Sequence, residues 1–299
     1  METLFIHSIA LQKQYFFRDN LDQFKDVNPH AFYAMETLAQ KIGLETYQTF
    51  FVNSIVDFSS FCTSIVARME NGTVIHGRNL DFDFPQILSN LVYVALYKVD
   101  GKIVAEAPSI AGYIGAYTGL RYDSFTVSYN VRFIRNMSNI DINMNQELQG
   151  VIPTAQLIQE TLIKEAIDFD GAVEKLSHTH INTPCYIIVG GVKPNEGIVI
   201  TRERDGVNHT EQLSDTQWFV AQTNMDFWLQ NDPRYDLTKQ QILAVGQKDI
   251  NMEILVSKVL WTPGVLEQIT IFSARMSVAL DKLEVLMANQ AKKLNYLTQ

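Results

Sequence analysis

Cys62-Thr63-Ser64-Ile65-Val66-Ala67 and, after a short interval, His76-Gly77-Arg78-Asn79-Leu80-Asp81-Phe82 form the stretch that decides the reading. Thr63–Ala67 reads as a strand, Glu70-Asn71-Gly72 as a turn, and Thr73–Gly77 as the returning strand. Asn-Gly between β-rich runs is the strongest short-range hairpin signal. A hairpin brings its two ends together, so Cys62 is expected to face Arg78 and Asp81. An arginine beside a thiol favours the thiolate, the reactive form, and a carboxylate nearby can orient an amine. Packing is the commoner role of a buried cysteine, and residues alone leave both readings open.

Outward from this hairpin the pattern stays antiparallel. Leu91–Val99, Asp100-Gly101 and Lys102–Ala107 read as a second hairpin. Further strands are expected at 113–120, 125–132, 186–191, 197–202, 218–223 and 268–273. Residues 1–61 read as mainly helical, with Phe32-Tyr33-Ala34-Met35 and Leu38-Ala39 at helical spacing and Gly43 ending the run. Helices are expected over 153–165, where Pro153 is well placed to open one, and over 171–178, 236–245 and 252–261. At the C-terminus Leu280, Leu283, Leu286, Met287, Leu294 and Leu297 fall on one helical face, which predicts a helix packed on a sheet. Hairpins with helices in blocks indicate α+β rather than alternating βαβ. Gly190-Gly191 precedes a turn, not a helix, and so reads as part of a hairpin and not as a phosphate cradle.

Composition narrows the function classes. The chain has 299 residues, 46% hydrophobic and 19% charged, an ordinary globular balance. The net charge of −9 argues against a nucleic-acid binder, which needs a basic face. Two cysteines, Cys62 and Cys185, exclude a disulfide-dense scaffold and a cysteine-rich metal site, and no metal or cofactor is expected. Cys185 reads as core packing. No apolar run approaches the roughly 18 to 20 residues that span a bilayer. Met1–His7 lacks a basic segment ahead of an apolar run, so no signal peptide is read. The expected compartment is the cytoplasm if the chain is complete, and the lysosome or the exterior if its N-terminus is truncated.

The Cys62–Ala67 and His76–Asp81 stretch resembles the nucleophile region of the acid ceramidase and N-acylethanolamine acid amidase family. These are cysteine N-terminal-nucleophile hydrolases, related to bile salt hydrolases and penicillin V acylases. The likeness continues through Ala111–Gly115, Tyr117-Thr118-Gly119, Tyr186–Gly191, Gly197–Arg202 and Gln222-Thr223-Asn224-Met225-Asp226 with Trp228, and covers roughly residues 32–275. It implies a four-layer αββα sandwich. It also implies autocleavage between Phe61 and Cys62, giving a helical portion of residues 1–61 and a catalytic portion of residues 62–299. The two form one domain, and the cleaved fragment is released or retained as a small subunit. The freed α-amine of Cys62, with an unperturbed pKa of about 8, then serves as general base for its own thiol. No catalytic histidine is required, and His76 is expected to turn outward or to bond backbone.

The resemblance carries roles onto matching positions. Arg78 matches the arginine that favours the thiolate, Asp81 the aspartate that holds the freed amine, and Asn224 the asparagine that donates into the oxyanion hole. Arg234, in Asp232-Pro233-Arg234, matches a second family arginine. Val131 stands where the family carries an acidic residue, and Asn130 is a candidate for the oxyanion region. The activity implied is hydrolysis of N-acyl lipid amides, N-acylethanolamine or ceramide, through a cysteine thioester, with contact to a membrane or micelle. Phe58, Phe61, Phe82, Phe84 and Trp228 suit an acyl channel or a core equally. A bile salt hydrolase or penicillin V acylase-like amidase, and an unprocessed lipid-binding relative, stand as alternatives.

Overall fold

The computed structural model describes residues 15–133 and 138–288, and the side chains of all of these except 55–59 and 138–141. Helices come first, among them α1 (Leu21–Val27), α2 (Pro29–Ile42) and α3 (Thr46–Ser59). Asn28 caps α2 by accepting the Ala31 N–H, with Pro29 at its first position. Then the expected hairpin forms from β1 (Phe61–Arg68) and β2 (Val74–Asp81). Gly72, at φ +89°, turns the connecting loop, and Thr73 N–H closes it on Asn71 Oδ1 at 3.0 Å.

Two antiparallel sheets follow from the remaining strands. These are β3 (Val92–Val99), β4 (Lys102–Ile110), β5 (Thr118–Arg121), β6 (Phe125–Val131), β7 (Cys185–Gly190), β8 (Gly197–Arg202), β9 (Val207–Gln212), β10 (Phe219–Gln222), β11 (Thr270–Ser277) and β12 (Lys282–Met287). The five-stranded sheet runs β10-β1-β2-β11-β12, and the seven-stranded sheet runs β3 to β9 in sequence order. Among them lie helices α4 (Ser138–Leu148), α5 (Thr154–Ile163), α6 (Phe169–His178) and α7 (Pro233–Val245).

Side-chain alternation assigns the layers. Val66, Val74, Tyr186, Ile188, Val199, Leu213 and Val220 meet between the sheets. On the outer face of the small sheet, Ile65, Ala67 and Ile75 pack under Tyr235 and Ile242 of α7 and under the π-helical turn Leu255–Leu260. On the outer face of the large sheet, Phe125, Val127, Tyr129 and Val131 pack under Leu157, Ile158 and Leu162 of α5 and Leu176 of α6. This is the expected four-layer αββα arrangement. The N-terminal helices join it through Phe24, Phe32, Met35 and Phe50, which share one apolar cluster with Met144 and Leu148 of α4. Among the described residues no helix is long and apolar enough to cross a membrane.

Several elements differ from the sequence expectation. Residues 282–287 form β12, not a helix. Leu283, Val285 and Met287 also satisfy a period of two, and pairing with β11, including an Arg275–Glu284 ion pair, decides for the strand. Leu294 and Leu297 lie outside the described residues. The strand expected over 113–120 shortens to β5, because Gly112 and Gly115 take positive φ and the chain loops there. At Gly115 a Cβ would stand 2.9 Å from Ala155 Cβ, so the loop passes directly against α5. The polar strand β9 and the asparagine-rich helix α4 carry almost no hydrophobic periodicity, so the sequence pattern does not announce them.

Candidate active site

Cys62 is the second residue of β1 and pairs with Leu80 of β2. Directly opposed residues of an antiparallel pair share a face, so Cys62, Ser64, Arg78 and Leu80 all point between the sheets. Arg78 Nη2 donates to Cys62 Sγ at 2.8 Å. Its Nη1 is tied to the Tyr117 carbonyl at 2.9 Å and Thr118 Oγ1 at 2.7 Å, on the facing sheet. Burial pushes the Cys62 thiol up, and the pull of Arg78 and Arg234 toward the thiolate does not offset it. The hairpin alone leaves a thiolate and a packed thiol both open. Cys62 is fully buried among Leu80, Phe82, Ile271, Phe272 and Ala274, and desolvation wins.

Asp81 is placed differently from the hairpin reading. It lies three residues after Arg78, an odd spacing that puts it on the other face of β2, opposite Phe61 rather than Cys62. Its Oδ2 accepts from Arg234 Nη1 at 3.2 Å and its Oδ1 from Thr270 Oγ1 at 2.6 Å. Burial pushes its carboxyl up to about 6, against the opposing pull of Arg234, Thr270 and Arg78.

Asn224 joins the two groups. Extending the β1–β10 register, in which Ser64 faces Gln222, sets Asn224 across from Cys62. Asn224 Oδ1 accepts the Cys62 backbone N–H at 2.6 Å and Arg234 Nη2 at 2.7 Å. Its Nδ2 donates to the Val131 carbonyl at 2.7 Å and to the Ser60 carbonyl at 3.3 Å. Arg234 sits in the first turn of α7, where Asp232 caps the Arg234 and Tyr235 N–H groups, both at 3.1 Å. The Arg234 guanidinium also lies 5.9 Å from the centre of the Phe61 ring, which packs on Phe133 and is 42% exposed. Cys62, Arg78, Asp81, Asn224 and Arg234 thus converge around the Phe61–Cys62 peptide.

Other candidates take different places. Asn130 spends both amide hydrogens on the Gln222 and Thr223 carbonyls, at 2.9 and 3.0 Å, so it braces β10 rather than pointing a free donor at the site. Val131 turns its side chain into the outer core and meets the site through its carbonyl to Asn224. His76 neither turns outward nor bonds backbone. It is buried between the sheets, against the hydroxyls of Thr126 and Ser128 at 3.0 and 2.9 Å. Burial, and secondarily Arg78, push it down to about 3, so it is neutral. Cys185 lies in the outer core cluster. Trp228 packs against the His209 ring of β9, while Phe82 packs in the cysteine's own cluster and Phe84 is exposed. Phe58 is among the residues whose side chains are not described. Sequence reading missed Thr118, Thr270 and the Arg132–Asp226–Tyr186 group. There Arg132 grips both Asp226 oxygens at 2.8 and 2.7 Å and Tyr186 donates to Oδ1 at 2.6 Å. Asp226 closes the Gln222–Asp226 stretch of the resemblance, two residues beyond Asn224, and that is its signal in the sequence. Among the described residues no group of three or more His, Cys, Asp or Glu side chains stands ready to hold a metal ion.

Comparison with known proteins supplies the family and supports the fold. The sequence profile of the linear amide C–N hydrolases, choloylglycine hydrolase family, matches residues 62–255. The N-acylethanolamine-hydrolyzing acid amidase of Cavia porcellus is 34% identical over 247 residues, spanning 80% of this chain and 68% of that protein. The acid ceramidase of Macaca fascicularis is 30% identical over 258 residues, spanning 79% of this chain and 64% of that protein. The solved structure of the Caenorhabditis elegans N-acylethanolamine-hydrolyzing acid amidase ortholog superposes with a TM-score of 0.67 at 34% identity, covering 73% of this chain and 93% of that one. This chain belongs to the linear amide C–N hydrolases of the choloylglycine hydrolase family.

Proposed function

We propose that this protein hydrolyses the amide bond of N-acyl lipids, N-acylethanolamines or ceramides, through a Cys62 thioester, after cleaving its own chain between Phe61 and Cys62. One observation carries the reading. Arg78 holds the Cys62 sulfur while Asn224, itself held by Arg234, accepts the N–H of the scissile Phe61–Cys62 peptide. Two facts support it further: the family match starts at Cys62, and the relatives bear the names of lipid amidases.

The chemistry follows from these groups. In the precursor, Sγ adds to the Phe61 carbonyl, an S–C bond forms and the C–N bond breaks. The Cys62 nitrogen takes the proton and leaves as an amine, and water then hydrolyses the thioester. The raised thiol needs a base, and the freed α-amine of Cys62 is the nearest one possible. Cleavage also removes the Ser60 carbonyl from Asn224 Nδ2. That hydrogen becomes free for the substrate oxyanion while the other stays on Val131, an arrangement typically worth about 3 kcal/mol. On substrate, Sγ attacks the acyl carbonyl and the amine leaves with the proton held by the Cys62 amine. Water then releases the fatty acid. Asp81 holds Arg234, which holds Asn224, so its carboxylate acts on the site through the arginine. The exposed apolar side chains Phe84, Ile87, Leu91, Tyr93 and Leu96 support contact with a micelle or membrane surface. The retained fragment is the small subunit, docked by its phenylalanines on α4.

A substrate panel tests the assignment. Turnover of palmitoylethanolamide or a short-chain ceramide over a conjugated bile salt and penicillin V is expected. Preference for either of the latter two overturns the lipid-amide reading.

A further inference from the structure

A line of buried polar side chains crosses between the sheets and ends at the loop that carries Asn224. It starts at His76 of β2, passes through Ser128 of β6 and Ser64 of β1, and ends on Asn130 of β6. The links are His76 Nε2 to Ser128 Oγ at 2.9 Å, Ser128 Oγ to Ser64 Oγ at 2.9 Å and Ser64 Oγ to Asn130 Oδ1 at 2.8 Å. All four residues are essentially inaccessible to solvent.

The direction of every hydrogen follows from the far end. Asn130 faces two carbonyls, Gln222 and Thr223, so its NH₂ must lie on that side and its Oδ1 toward Ser64. Ser64 therefore donates to Asn130, and having one hydrogen it accepts from Ser128. Ser128 in turn accepts from His76, which fixes the imidazole as the tautomer carrying its proton on Nε2. Nδ1 is left as acceptor, so the single hydrogen of Thr126 Oγ1 turns to it at 3.0 Å rather than to the Gly190 carbonyl at 3.2 Å. The depressed basicity of His76 agrees, since a neutral ring is what this order requires.

The line touches both halves of the reacting pair without touching the sulfur. Ser64 is two residues after Cys62 on the same strand face. The carbonyls gripped by Asn130 are the two immediately before Asn224. The loop is pinned further by Gln222 Nε2 on the Met225 carbonyl at 2.8 Å and by the Phe133 N–H on the Asn224 carbonyl at 2.9 Å. We infer that His76, Ser128, Ser64 and Asn130 are positioning residues that set the distance between Cys62 and the Asn224 amide. The inference rests on the nucleophile and oxyanion roles proposed above. It places Asn130 behind the oxyanion donor rather than in the hole.

The test is steady-state kinetics on the lipid amide, per matured active site titrated with a thiol-reactive covalent probe, run beside Cys62→Ala. Ser64→Ala, Asn130→Leu and His76→Leu are expected to lower kcat about ten- to a hundredfold with KM nearly unchanged, because displacement of about an ångström has effects of that order. His76→Gln, whose amide N–H reaches where Nε2–H stood, is expected to recover most of the His76→Leu loss. The Ser64→Ala/Asn130→Leu double variant is expected to be no slower than the slower single one, since both break one line, whereas independent packing defects multiply. An inactive Cys62→Ala with wild-type kcat in the three single variants, or a multiplicative double variant without rescue by His76→Gln, overturns the positioning line alone. Wild-type turnover by Cys62→Ala overturns it together with the nucleophile on which it rests.

Discussion

Asn224 Oδ1 lies 2.6 Å from the backbone nitrogen of Cys62, while the Nδ2 of the same side chain faces the Ser60 carbonyl at 3.3 Å. One amide thus grips the chain on both sides of the Phe61 residue. In the proposed mechanism it holds the peptide to be cut, and cleavage would release half of its donor capacity. Asn224→Ala is expected to slow the appearance of the new N-terminus and to lower kcat on substrate on the order of a hundredfold. Asn224→Asp keeps the Oδ1 acceptor and loses the donor, so it is expected to damage turnover more than cleavage. Time-resolved intact mass beside steady-state kinetics checks the pair.

Arg78 makes three directional contacts from a fully buried guanidinium, to Cys62 Sγ, the Tyr117 carbonyl and Thr118 Oγ1. A lysine ammonium cannot span that set. Arg78→Lys is expected to lose about a hundredfold in kcat. The pH dependence of alkylation in Arg78→Gln is expected to show the Cys62 thiol moved further up than in wild type, because the favourable charge is gone.

Asp81 gives a pH dependence of stability with a definite sign. Its carboxyl sits at about 6 in the folded chain, above the usual 3.8. The folded state therefore holds this proton more tightly than the unfolded state, so the contribution is fully present below about 4. It is lost as pH rises through about 6. Urea midpoints measured from pH 4 to pH 7 are expected to show Asp81→Asn losing less stability across this window than wild type.

The fit of the loop before β5 against α5 has a local test. Gly115 combines φ +126° with a position where a Cβ meets Ala155 Cβ at 2.9 Å. Gly115→Val is expected to destabilise the fold by about 2 to 4 kcal/mol, read as a lower urea midpoint.

The docked helices make retention of the N-terminal portion measurable. Phe50 shares a cluster with Met144 and Leu148, and Asn53 accepts the Ile114 N–H at 2.7 Å while donating to the Gly112 carbonyl at 3.0 Å. Both pieces are expected to co-elute on gel filtration after cleavage. Phe50→Ala, a large-to-small change costing about 3 to 5 kcal/mol, is expected to let the N-terminal piece dissociate in mild urea before the remainder unfolds.

The hairpin of β1 and β2 was legible because its signal is local: β-rich runs on either side of Asn71-Gly72. The site residues were legible through the resemblance, since their matching positions lie in recognisable motifs. Geometry between elements was not legible. The odd spacing of Arg78 and Asp81 does place them on opposite faces, but only the register shows that Asp81 then faces Phe61 and reaches Asn224 through Arg234. His76 was misplaced because its partners, Thr126 and Ser128, belong to a strand of the other sheet. At β12, Leu283 and Leu286 fit a helix as well as Leu283, Val285 and Met287 fit a strand, and the neighbouring β11 settles the tie.

The central claim is that Cys62 cuts the chain before itself and then works as the nucleophile. Intact mass with N-terminal sequencing, on wild type and Cys62→Ala purified and incubated side by side, tests it most directly. A new N-terminus at Cys62 in wild type, with an uncut chain in Cys62→Ala, is the expected result. Cleavage at the same bond in Cys62→Ala, or a wild-type chain that turns over lipid amide while remaining whole, contradicts it.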